Sequence, residues 1–102
     1  MKNEIIEKYD LWLHSKYNLI YQTDIQISFL NCILDEYKLS NKTIEDYYFI
    51  IDLQPQILRQ LEDDIDTFAI NDSNKLVQMR LALIYFIEFL VEQKKQNYNL
   101  IN

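Results

Sequence analysis

None of the 102 residues of this chain is glycine, and Pro55 is its one proline. Tight hairpin turns depend on positive φ, which glycine adopts without steric cost, so a chain lacking it has few ways to reverse a strand. The same absence excludes glycine-rich phosphate loops and dinucleotide fingerprints, whose backbones must approach a pyrophosphate closely. The expected fold is therefore all-α: a single domain over residues 1–102, a bundle of about five helices with Asn, Asp and Ser in the turns. Apolar residues make up 49% of the chain and charged residues 25%, enough for one modest core under a charged surface.

Helical spacing locates that core. Residues 3–17 put Ile5, Tyr9, Trp12, Leu13 and Lys16 on one stripe, with Glu7, Asp10 and His14 facing outward. A second helix is read over 23–37, opening on a Thr23-x-x-Gln26 capping pattern and carrying Leu30, Ile33, Leu34 and Tyr37. Because "DIQISF" also alternates with period two, residues 19–29 are open to a helix or a short strand. Pro55 suits the first position of a further helix, where its missing N–H costs nothing, and Ile57, Leu58, Leu61, Ile65 and Phe68 follow at helical spacing. The Asn71–Asn74 run is the clearest break, with Asp72 or Ser73 as cap of a last helix over 75–95; residues 96–102 are expected to fray. That helix is apolar almost all round, but Arg80 and Glu88 leave seven uninterrupted apolar residues, against the roughly 20 a membrane span needs. So narrow a polar stripe suits the buried centre of the bundle or a homodimer interface through residues 76–91.

The stretch "YKLSNKTIEDYY" (37–48) contains a helix start. Ser40 is placed to cap the free N–H of Thr43, and Leu39 and Ile44 are spaced for a hydrophobic staple. The sixteen residues "ILDEYKLSNKTIEDYY" resemble the turn and recognition-helix start of helix-turn-helix proteins. More loosely, their Leu-Ser, Thr and Tyr resemble the start of the core-binding domain of phage integrases. The resemblance implies a DNA-binding accessory module using residues 33–49. Against it, Leu34 stands where that motif has a small residue, and Lys38 where it has glycine. Glu45 and Asp46 occupy the positions that would meet bases or phosphates, where carboxylates oppose binding. The stretch reads better as a capped helix start, and nucleic acid is not the expected ligand.

Little chemistry is encoded. Cys32 is the single cysteine, so neither an internal disulfide nor a cysteine zinc site is available, and its apolar surroundings predict a buried, inert thiol. His14 is the single histidine. Glu62 and Asp66 share a helix face with Asp63 nearby, but without histidine or a calcium-loop pattern they make a poor metal site. No metal, cofactor or catalytic constellation is expected, and the chain is read as a non-enzyme. Its N-terminus alternates charged and apolar residues, unlike a signal peptide. The expected compartment is the cytoplasm of a bacterium or of a phage's host cell.

Charge is the most informative feature. Between Thr43 and Asn74 lie eight carboxylates (Glu45, Asp46, Asp52, Glu62, Asp63, Asp64, Asp66 and Asp72) and one base, Arg59. That window carries −7 of a total of −6, the other 70 residues summing to +1. Such a run forms either a solvated face or a surface that steers a basic partner. Tyr47, Tyr48 and Phe49 cannot all face one core, so at least one aromatic should stand exposed among the acids. The expected binding residues are Glu45, Asp46, Tyr48, Phe49, Asp52, Glu62, Asp63 and Asp66. The expected function is that of a small acidic inhibitor or immunity-type factor. It would neutralise a basic protein that acts on nucleic acid, either a nuclease toxin or a nucleic-acid-guided defence enzyme.

Overall fold

A computed structural model describes residues 4–17, 23–39, 43–63, 70 and 73–101. Among these residues five helices follow one another: α1 (Glu4–Tyr17), α2 (Thr23–Glu36), α3 (Ile44–Tyr47), α4 (Phe49–Asp63) and α5 (Ser73–Ile101). At 1.5 Å per residue the 29 residues of α5 span about 43 Å. This helix sets the 46 Å long axis of the molecule. Helices α1, α2 and α4 pack around it, α2 also lies beside α1, and α3 leads into α4. The all-α bundle expected from the glycine-free sequence is what forms.

Each helix turns its 3.6-residue stripe inward. Tyr9 and Leu13 from α1, Leu30, Ile33 and Leu34 from α2, and Ile50, Ile57 and Leu61 from α4 are buried in one common core. Met79, Ala82, Leu83, Phe86, Phe89 and Leu90 of α5 fill the centre. Fully burying one such aliphatic or aromatic side chain is worth about 1.5–3 kcal/mol, so these stripes supply the main folding force. Edge-on aromatic contacts knit the layers: Tyr9 meets Phe86 at 5.2 Å and Phe89 at 5.6 Å, and Tyr47 meets Phe86 at 5.6 Å. Much of the 76–91 segment is thus consumed within one chain, leaving Val77 and Ile84 on its outer side.

One open alternative is resolved and several local expectations are corrected. Residues 23–29 are helical, because only that spacing turns Gln26, Leu30, Ile33 and Leu34 to the same side; residues 18–22 lie outside the described set. Cys32 is exposed rather than buried, since it lies on the face of α2 away from that stripe. Pro55 does not start a helix but sits in the interior of α4. It deprives the Ile51 carbonyl of its usual amide partner. The burial of Ile50, Ile57 and Leu61 on both sides of the proline offsets that loss. The break falls instead at Tyr48, where Ile51 N donates to the Tyr48 carbonyl at 3.2 Å in a tight, three-residue step. Helix α5 runs to Ile101, beyond the Lys95 at which the sequence pattern ends it.

The start of α3 is capped by Thr43, three residues later than expected; Ser40 lies outside the described residues. Thr43 Oγ1 accepts from Asp46 N at 3.4 Å while Thr43 N donates to Asp46 Oδ2 at 3.3 Å, a reciprocal capping box. With Thr43 as cap, Leu39 and Ile44 no longer hold the two staple positions, although both pack against the core. Leu39 has a different task, at the end of α2. Its N–H bonds the Leu34 carbonyl at 2.7 Å, and Lys38 N bonds the Asp35 carbonyl at 3.1 Å, the two bonds of a Schellman stop. Lys38 takes φ 58 to make it, the left-handed conformation usually left to glycine. Seven residues, 37–43, separate α2 from α3, against the three or four of a helix-turn-helix turn.

Candidate protein-binding surface

Helices α3 and α4 act almost as one rod, because Tyr48 between them keeps helical dihedrals (φ −59, ψ −24). Along that rod Glu45, Phe49, Asp52, Gln56, Arg59 and Asp63 recur at spacings of four and three residues, so they share one face, and all six are exposed. Phe49 is 67% exposed, while its neighbour Tyr47 is fully buried and Tyr48 is half-buried. The three consecutive aromatics thus divide between core, rim and solvent. Among the described residues, neither Glu45 nor Asp52 has an ion pair, and the two flank Phe49 by four and three residues.

The remaining candidates have different positions. Asp46 is spent on the capping box, its carboxylate turned back to Thr43. Tyr48 lies beneath Lys94, whose ammonium sits 5.6 Å from the ring centroid. Glu62 is exposed but reaches Arg80 of α5 at 3.0 Å, away from the Phe49 row. Asp66 lies outside the described residues, as do Asp64 and Asp72. Among the described residues, the acidic window therefore presents an outward row, Glu45–Phe49–Asp52, continued to Asp63 past the intervening Arg59. Among the described residues no group of three or more His, Cys, Asp or Glu side chains is placed to hold a metal ion. No helix among them is long and apolar enough to cross a membrane.

Sequence reasoning overlooked the basic edge of this surface. Ile51 and Val91 floor a shallow groove whose rim carries Lys94 and Lys95 of α5, and the adjoining groove is lined by Glu45, Tyr48, Phe49, Asp52 and Lys94. The signal available in the sequence was the Lys94-Lys95 pair, but nothing local indicates that it returns to residues more than forty positions earlier.

The opposite flank of α5 holds a second polar cluster that was not foreseen. Trp12 Nε1 and Lys16 Nζ both donate to Glu92, and the Tyr17 hydroxyl donates to Glu88. Lys16 also lies 3.4 Å from Glu88 and 5.4 Å from the Trp12 ring centroid. The hydrogen bond from Lys16, followed by that from Trp12, holds the Glu92 carboxyl below its ordinary value. Its bond to Glu88 raises the Tyr17 hydroxyl, and burial raises that of Tyr9 in the core nearby. These groups are engaged with one another and fasten the end of α1 to α5. Comparison with family models, curated proteins and solved structures finds no match to this chain.

Proposed function

We propose that the chain is a non-catalytic binding protein whose exposed row Glu45–Phe49–Asp52 docks on a basic partner protein. The observation that carries this reading is Phe49: a large apolar side chain held out in solvent, 67% exposed, between two carboxylates without ion pairs among the described residues. An aromatic anchor with charges at its rim is the usual composition of a docking site, the ring supplying affinity and the charges the encounter rate. The partner class that fits is a protein whose own basic surface handles nucleic acid, since a row of carboxylates can take the place of phosphates there. Inhibition or immunity against such a protein is the proposed role.

Capture from cells with the immobilised chain, run beside its Glu45→Lys/Asp52→Lys variant, tests the reading. A basic protein should be retained by the wild-type chain, released as ionic strength rises, and lost with the variant. Random duplex DNA should show no salt-dependent binding to the wild-type chain. Sub-micromolar binding to that DNA, weakening steeply with salt, would instead count phosphates neutralised by lysine and arginine and sink the proposal.

A further inference from the structure

The face that carries Phe49 also carries the complement to its own charges. From the α3–α4 side it presents Glu45, the projecting Phe49 ring and Asp52. Across the half-buried Tyr48 and Ile51 it becomes a trough of about 300 Å³ lined by Ile51, Val91, Lys94 and Lys95. Lys94 borders both grooves, so the acid row and the base row are neighbours on one continuous surface. A two-fold axis through the Tyr48–Ile51 strip would exchange the two rows. Each Phe49 then lies over the other molecule's apolar trough, and each pair of carboxylates faces a pair of ammonium groups. Self-complementarity of a single patch is the requirement for an isologous interface.

We propose that this face pairs with a second copy of the chain, Phe49 of each protomer seated on the Ile51–Val91 trough of its partner and Glu45 and Asp52 set against Lys94 and Lys95. A basic partner docked on the acid row leaves the two lysines unengaged. A second copy satisfies both rows and covers the phenylalanine. Net repulsion between two copies of charge −6 is screened beyond roughly 8 Å at physiological ionic strength, whereas the paired rows meet within that distance. The dimer stands apart from the docking role proposed above. Where both occur they compete, because each covers Phe49, and the dimer is then the stored form of the binding protein.

Sedimentation of the full chain over a concentration series tests the proposal without any partner. The mass should move from 12.4 kDa toward twice that value as concentration rises. Glu45→Lys/Asp52→Lys and Lys94→Glu/Lys95→Glu should each weaken the dimer by about tenfold or more at low salt, since each faces like charge with like. Their equimolar mixture should restore it, because each altered row then meets its opposite. Circular dichroism confirms that both variants remain helical, and Phe49→Ala supplies a charge-neutral variant that should also dissociate. A chain that stays monomeric throughout overturns the proposal. So does a dimer indifferent to all three variants, which would move the contact to Val77 and Ile84. The Lys94→Glu/Lys95→Glu variant keeps the acid row intact, so its binding to a basic protein reports on the docking role separately.

Discussion

On the flank of α5 that meets α1, Glu88 and Glu92 are held by Lys16, Trp12 and Tyr17. On the flank that meets α3 and α4, Glu45 and Asp52 face solvent with no ion pair among the described residues, on either side of an exposed phenylalanine. Both regions combine carboxylates with aromatic rings, yet their rings have opposite fates. Trp12 is packed against Tyr9 and Phe89, with centroids 6.0 and 5.7 Å away, and its indole N–H is satisfied by Glu92. Phe49 has no comparable cover. A carboxylate beside a packed ring holds the bundle together, whereas one beside an exposed ring is left available to something outside the chain. Acidity alone does not separate the two cases; engagement does.

The sharpest way to test that contrast is to truncate one phenylalanine from each region. Phe89, 1% exposed and in contact with Tyr9, Trp12 and Phe86, should cost about 3–5 kcal/mol when changed to Ala. Phe49→Ala should stay within about 0.5 kcal/mol of the wild-type stability, as surface changes usually do. Urea melts of both variants at a concentration where the chain is monomeric measure the difference. A large loss at Phe49 would make it a structural residue and remove the basis of the docking row.

Next in size is Thr43→Ala. If Asp46 is committed to the capping box, removing the reciprocal partner should cost about 0.5–2 kcal/mol. An unchanged melting temperature would return Asp46 to the pool of available carboxylates and blur the comparison.

The smallest effect concerns Glu92 and shows itself through pH. Its carboxyl is held below the ordinary 4.5 by the bonds from Lys16 and Trp12. The unfolded chain therefore binds the proton more readily, so the stabilisation is present above about pH 4.5 and is lost as pH falls through the lowered folded value. Glu92→Gln should melt below wild type near neutrality, and the gap should narrow in acid and in high salt, because the site is partly exposed. Emission from Trp12, the single tryptophan, gives a local readout of the same titration. A gap that does not change with pH would mean that packing rather than charge fastens α1 to α5.

The legible part of the surface was the part carried by neighbours in sequence. A window of carboxylates, five of which lie on α3 and α4, and three consecutive aromatics that could not share a core pointed to this surface. How many of those carboxylates remain available was not legible. Asp46 is taken by a cap that begins at Thr43, and Glu62 by Arg80, eighteen positions along the chain. Pro55 misled for a related reason. A proline weighs against a helix interior locally, but the apolar stripe of Ile50, Ile57 and Leu61 extends to both sides of it and the core holds the helix across.

That this protein is helical, and which side of each helix is apolar, follows from local pattern alone. The missing glycine closes off tight strand reversal, and the recurrence of Leu, Ile and aromatic residues every three or four positions is a property of the chain that any amphipathic helix displays. Which polar groups meet depends instead on how the helices pack. Trp12 finds Glu92 eighty residues away, and Lys94 comes to rest on Tyr48. Periodicity is local because it follows from the pitch of one helix. Pairing is not, because it depends on which helices lie side by side and at what height along α5, and that is fixed by the packing of the whole core.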